Sequence, residues 1–330
     1  MTVGRLRRRD LFGALAAPAF VKSAQAAPDT GPYPSREIRL IVPYGAGAGT
    51  DAVSRVVARH LADRLGRPVV VENRVGANGN IGTGAVARAA PDGYTLGTAT
   101  PGPVAVARSL YPALPYEPLR DLEPIVQFNA SPVVLLVNPA QPFRTASDLI
   151  ARARDAPGTV DAAIAANGSI NHLVTELFCA ETGARLKNIP YAGGAQAMTD
   201  TVAGHVDLVF ISLSSVVGIV QSGELRALAI AAPERHPRLP GVPTTAEIGY
   251  PAVLGSQWNG LVGPAGLPRP IVDRLNTAVR EGLATPDIAR YLDEQGMSAA
   301  AGPPEAFRAF LEAETARWAA IVRQAGIKVE

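Results

Sequence analysis

The 330-residue sequence has a single cysteine, Cys179, so no disulfide can form within the chain. It lies in an apolar-patterned stretch, Leu173-Val174-Thr175-Glu176-Leu177-Phe178-Cys179, which reads as a buried inert thiol rather than a nucleophile. The four histidines, His60, His172, His205 and His236, are scattered, and no spacing of Cys, His, Asp and Glu reads as a metal site. There is no G-x-S-x-G turn. Ser169 and His172 are too close in sequence, at one helix start, to form a nucleophile–base–orienter set. A long apolar span is also missing near the N-terminus: residues 11–21 are apolar but include Pro18, whereas a bilayer needs roughly 20 such residues. Excess basic charge is absent from the body of the chain. Residues 1–26 hold five basic side chains and one acidic one, which leaves 26 basic against 28 acidic, a net −2, in the rest. A near-neutral body carries no electrostatic footprint for nucleic acid.

The N-terminus is itself informative. Arg7, Arg8 and Arg9 precede Asp10-Leu11-Phe12, the apolar run follows, and Ala24-Gln25-Ala26 supplies small residues where a signal peptidase cuts. Residues 1–26 are therefore expected to be a secretory signal, with the paired arginines pointing to the twin-arginine route. The remaining 304 residues exceed what one core usually holds, so two lobes are expected.

Along the chain, short apolar strands alternate with helical patterns, the mark of an α/β protein with largely parallel sheets. Strands are expected at 38–42, 68–72, 95–98, 133–137, 206–211, 225–231 and near 260–262. Helices are expected from 51, at 171–182, 195–203, 214–222, 270–284, 287–295 and 304–325, with Thr145 and Asp148 as a capping box. Two glycine-containing turns each lead into a helix. The first is Pro43-Tyr44-Gly45-Ala46-Gly47-Ala48-Gly49-Thr50-Asp51; the second is Asn167-Gly168-Ser169-Ile170-Asn171-His172. Small residues let backbone N–H groups approach a ligand, and a helix N-terminus carries partial positive charge. Each turn thus offers an anion site without a basic side chain, and Ser169 and Asn171 add a hydroxyl and an amide. The first turn also fits a loose dinucleotide fingerprint, through Gly47, Gly49 and Ala52 with Glu72 further on. Pro43 at the strand exit and an exported location weigh against that cofactor.

Several blocks, in order along the whole chain, resemble the Bug-type receptors of tripartite tricarboxylate transporters. They include Ile41-Val42-Pro43-Tyr44-Gly45, Val71-Glu72-Asn73-Arg74-Val75-Gly76, Pro91-Asp92-Gly93-Tyr94, Tyr191-Ala192-Gly193-Gly194 and Gly263-Pro264-Ala265-Gly266-Leu267-Pro268. The resemblance implies a periplasmic binding protein-like fold of type II, with two lobes and a hinge of two crossovers. Lobe 1 would comprise residues 27–128 and 252–330, and lobe 2 residues 129–251. By position, Tyr44, Gly45, Ala46, Gly47, Ala48, Gly49, Thr50 and Asp51 would face a ligand carboxylate together with Asn167, Gly168, Ser169, Asn171 and His172. Asp200 would meet the far end of the ligand or stand as a solvated carboxylate, and His172 could equally be structural. The resemblance further implies a small carboxylate as ligand (a mono- or dicarboxylate, or an amino-acid-like acid), membrane permease subunits as partners, a monomer, no cofactor and no catalysis. Transport receptor and membrane-linked sensor both fit this reading. Ala48, Ala165 and Ala166 depart from the family pattern inside the pocket, which bears on the identity of the ligand.

Overall fold

The computed structural model describes Met1, residues 33–47 and residues 49–327. The expected signal segment and Ala48 lie outside the described residues. Within the unit Tyr33–Glu330, the strands are β1 (Ile38–Val42), β2 (Val69–Asn73), β3 (Thr95–Ala99), β4 (Leu122–Val137), β5 (Asp161–Ile164), β6 (Lys187–Pro190), β7 (Leu208–Ser212), β8 (Arg226–Ile230), β9 (Ser256–Pro264) and β10 (Ser298–Ala299). The helices that matter below are α1 (Gly49–Leu65), α2 (Asn80–Ala87), α3 (Ala146–Asp155), α4 (Ile170–Thr182), α5 (Gly194–Val202), α6 (Arg269–Leu283) and α7 (Pro304–Ala325).

The strand order is β2-β1-β3-β9-β4-β7-β5-β6, with β8 and β10 also paired to β4. The outer strands pair in parallel, β1 with β2 and β3, and β5 with β6 and β7. β9 and β4 join these two groups through antiparallel ladders. β4 is long enough to serve both sides. Its residues 122–132 pair with β9, and its residues 133–137 pair with β7 on one edge and β8 on the other. The sequence pattern shows only the second portion as a strand, because Pro124 and Pro132 read as breaks. The ladder shifts register beside Pro124, between it and Val126, and again between Gln127 and Asn129, whereas Pro132 sits in register opposite Ser256 at the end of the β9 ladder.

The buried strands are apolar on both faces, as parallel strands covered by helices must be. In β1, every residue but Arg39 is buried. α1 lays Val53, Val57, Leu61 and Leu65 against this layer at helical spacing, and it packs on α6. One apolar cluster runs through Ile38, Leu96, Phe128 and Leu275, and another through Val134, Val209, Ile211 and Ile230. A third includes Val133, Phe178, Phe210, Trp258 and Trp318, so α7 covers residues drawn from both groups of strands. Trp258 is fully buried, lies edge-on to Phe307 and Phe310, and donates its indole N–H to Glu314 Oε2 at 3.2 Å. Thr145 and Asp148 form the capping box at the start of α3. Cys179 is half-buried, and burial pushes its thiol up to about 11, well away from a reactive thiolate. No helix among the described residues is long and apolar enough to cross a membrane.

Candidate functional site

In open α/β sheets, loops beyond the carboxyl ends of the parallel strands build the ligand crevice. Here β1 ends at Val42 and its turn enters α1, β5 ends at Ile164 and its turn enters α4, and β6 ends at Pro190 and its turn enters α5. All three helix starts border one cavity of about 820 Å³. No Lys, Arg, His, Asp or Glu among the described residues lines it. The polar lining is uncharged and includes Thr50, Ser169, Asn171, Ser214, Gln257 and Asn259; Met198, Ile211 and Met297 supply apolar wall. No cluster of three His, Cys, Asp or Glu side chains among the described residues could hold a metal.

The first turn owes its shape to Asp51. Gly47 adopts φ +83°, in the left-handed region that glycine enters freely, and its N–H donates to Asp51 Oδ2 at 2.9 Å. The same oxygen accepts from Arg55 Nε at 2.9 Å. Asp51 Oδ1 accepts from Asn73 Nδ2 at 2.8 Å, and that amide also donates to Tyr44 O at 2.9 Å. Burial raises the Asp51 carboxyl, but the Arg55, Gly47 and Asn73 hydrogen bonds outweigh it and hold the group below its ordinary range. The sequence pattern starts this helix at Asp51, whereas α1 begins at Gly49 and both Thr50 and Asp51 sit in its first turn. Asp51 is 2 % exposed and does not line the cavity. Its carboxylate clamps the turn that enters α1, whose first N–H groups have no intrahelical acceptor.

The second turn is held differently. Ser169 is the N-cap of α4, and its hydroxyl accepts from His172 N at 3.3 Å. His172 is buried outside the cavity; its Nδ1 accepts from Gly168 N at 3.1 Å and its Nε2 lies 3.7 Å from Glu176 Oε1. The histidine therefore locks the turn from behind. Its hydrogen bond holds the Glu176 carboxyl low against the effect of burial. Asn171 lines the cavity and donates to Phe210 O at 2.6 Å, fixing its amide against β7. The remaining N–H groups of the first turn of α4, on Ile170 and Asn171, need partners from outside the helix.

Of the residues singled out from the sequence, Tyr44, Gly45, Gly47, Gly49, Thr50, Ser169 and Asn171 line the cavity. Ala46, Asp51, Asn167, Gly168 and His172 belong to the supporting turns and are not in the lining. Asp200 lies on α5 outside the cavity, 3.8 Å from His205 Nδ1 and beside the Tyr191 hydroxyl. Glu72, the acidic residue of the dinucleotide pattern, is ion-paired with Arg74 and Arg39. Each turn is approached by a segment outside the pair. Asn78 Nδ2, from the loop before α2, donates to Gly168 O at 3.0 Å, and an ideal Cβ on Gly49 would lie 4.0 Å from Ser215 Oγ.

The sequence reading passed over three parts of this cavity. The first is the start of α5, where Gly193 and Gly194 line the wall; a glycine pair between a short strand and an amphipathic helix was the available signal. The second is the loop holding Asn78, where Gly76, Ala77, Asn78 and Gly79 all have positive φ. The third is the floor, formed by Asn129 on β4 and Gln257 and Asn259 on β9.

A cleft between two groups of parallel strands, joined by long antiparallel strands and lined by helix starts, is the construction of an α/β solute-binding protein. The family model described as "Tripartite tricarboxylate transporter family receptor" matches residues 53–327, and the chain belongs to that family of periplasmic receptors. It is 41 % identical over 299 residues to Protein BugT of Bordetella pertussis, covering 90 % of this chain and 92 % of BugT. Among solved structures, an R. palustris protein with adipate is similar at a TM-score of 0.85 and 35 % identity, covering 90 % of this chain and 99 % of that one. MatC from Rhodopseudomonas palustris with bound malate is similar at a TM-score of 0.81 and 32 % identity, covering 88 % and 100 %.

Proposed function

We propose that this protein captures a small mono- or dicarboxylate in the cleft and delivers it to the membrane permease subunits of a tripartite transporter. In this reading it acts as a monomer and catalyses no reaction on the ligand. The observation that carries the reading is the cavity of about 820 Å³, bordered by three helix starts and lined by no charged side chain among the described residues. Oriented N–H groups and hydroxyls can hold a carboxylate in such a site, and the lack of a basic side chain leaves the helix N-termini as the main source of positive potential. The adipate and malate bound to the two similar structures are of this ligand class. The proposed contacts are the N–H groups and side chains of Gly49, Thr50, Ser169, Ile170 and Asn171, with Tyr44, Gly45 and Gly47 shaping the wall. Asp51, Gly168 and His172 support them.

The chain division carried by β4 and β9 suggests how ligand is retained. Residues 27–128 and 252–330 form one lobe and residues 129–251 the other, and the ligand favours the state in which they close. The bond from Asn78 to Gly168 O spans that division and belongs to the closed state. Export removes residues 1–26.

The test is calorimetry on residues 27–330, stripped of bound ligand by unfolding and refolding, with a panel of small mono- and dicarboxylates. Saturable one-to-one binding of at least one acid, with the acid recovered unchanged, is the expected result. Binding of none, or turnover of any, overturns the reading.

A further inference from the structure

The start of α1 borders the cavity through Gly49 and Thr50. Ala48, the residue before it, has no side-chain oxygen to cap it, and the Asp51 carboxylate is taken up by Gly47, Arg55 and Asn73. Across from this helix start stands Ser215, whose Oγ lies 4.0 Å from where a Cβ on Gly49 would be. Ser215 ends a short 3₁₀ turn, Leu213–Ser215, that follows β7. The turn is held from beneath. Leu213 is fully buried, Ser214 N donates to Ser131 Oγ at 3.0 Å, and Ser131 Oγ donates to Gly296 O at 2.9 Å. Ser212, Ser214 and Ser215 all line the cavity, but their hydroxyls differ. Those of Ser212 and Ser214 are bonded to each other at 2.9 Å. Ser215 is exposed, and its hydroxyl has no hydrogen-bond partner among the described residues. A pinned turn therefore presents one unengaged hydroxyl to the cavity, beside the start of α1. Ser215 and Gly49 fall on opposite sides of the proposed lobe division, as do Asn78 and Gly168. The Asn78 amide already has its acceptor in Gly168 O.

We infer that the Ser215 hydroxyl donates to the ligand carboxylate held at the start of α1, so that a residue of the opposite lobe completes this anion site. The inference rests on the carboxylate-binding reading above and adds a contact to it. An ionised carboxylate only accepts hydrogen bonds, and a serine hydroxyl has one hydrogen to give. Points 4.0 Å apart can both lie within about 3 Å of one oxygen, so a carboxylate seated beside Gly49 is within reach of Ser215. A hydrogen bond to a charged acceptor is about twice as strong as one between neutral groups. No Lys, Arg or His among the described residues lines the cavity to take this part. Because the hydroxyl is bonded to nothing else in the chain, the carboxylate displaces no internal partner when it binds.

The experiment measures binding of acetate, succinate, malate and adipate by calorimetry on residues 27–330, stripped of bound ligand, in wild type and three variants of Ser215. For the acid that wild type binds tightest, Ser215→Ala is expected to weaken binding about 10- to 100-fold. The thermal midpoint of the ligand-free protein should not move, because the exposed Ser215 side chain holds nothing within the chain. Threonine and valine share a shape and differ in the hydroxyl. Ser215→Thr should therefore bind within about threefold of wild type, and Ser215→Val as weakly as Ser215→Ala. A loss caused by altered packing would strike threonine and valine alike. If Ser215→Ala binds as tightly as wild type, if threonine and valine behave the same, or if the ligand-free midpoint falls with the affinity, the hydroxyl does not touch the anion. The inference is then wrong while the carboxylate-binding reading stands. If wild type binds none of the four acids, the inference falls together with that reading.

Discussion

Replacing Gly49 with glutamate is expected to weaken carboxylate binding by about 100-fold while leaving the protein as stable as before or slightly more so. Gly49 opens α1, is exposed, borders the cavity, and has no positive φ that would oppose a side chain. A glutamate there would put a negative charge beside the N–H groups proposed to hold the ligand. Two like charges about 4 Å apart at an effective dielectric near 20 repel by about 4 kcal/mol. A flexible side chain relieves part of this by turning outward, and about 2.7 kcal/mol remaining corresponds to 100-fold. Stability moves the other way. An acidic residue in the first turn of a helix interacts favourably with the helix dipole by about 0.3–1 kcal/mol, and loss of glycine from a helix gains a similar amount. Calorimetry and thermal unfolding on the same preparation separate the two effects. Gly49→Lys should retain or improve affinity at a small cost in stability. If Gly49→Glu binds carboxylate as tightly as wild type, the start of α1 is not the anion site.

Asp51→Ala is expected to cost about 2–4 kcal/mol of stability, because it leaves Gly47 N–H and the Asn73 amide without an acceptor and Arg55 without its partner. Affinity should fall with it as the turn loosens. Asp51→Asn, which keeps the shape and one acceptor oxygen, should recover most of the affinity but little of the charge-dependent stability. The pH dependence has a definite sign. The Asp51 carboxyl is held low in the folded protein, so it ionises there at a lower pH than in the unfolded chain. Its contribution is complete above the ordinary aspartate value of about 3.9 and is lost as the pH falls through the lowered folded value. Urea unfolding of wild type and Asp51→Asn through that acid window should show the wild type losing its advantage as the pH drops. An Asp51→Ala variant with unchanged stability and abolished binding would instead make Asp51 a direct ligand contact.

The two turns were legible because both signals are local. A short apolar strand, a run of small residues and a helical stripe beginning at Val53 lie within one stretch of sequence, and the block from Asn167 to His172 repeats that form. Side-chain roles set by distant partners were not legible in this way. Asp51 reads as a ligand contact until Asn73, on the neighbouring strand, is seen to share its carboxylate with Gly47. His172 faces Gly168 and Glu176 rather than the cleft. The floor was hidden for another reason. Pro124 and Pro132 break the apparent strand pattern, so the long β4 was not expected, and without it Asn129 could not be placed beside Asn259. Asn78 sits in a stretch with positive φ at four successive residues, and that geometry alone carries its amide to Gly168.

Main-chain N–H groups at the mouths of α1 and α4 are claimed to grip the anion where no cationic side chain is at hand. The most direct measurement is the ¹⁵N–¹H spectrum of labelled protein titrated with a carboxylate that binds. The largest downfield amide shifts should fall on Gly49, Thr50, Ile170 and Asn171. Silence at those four amides, with saturating shifts clustered on another face, would contradict the account.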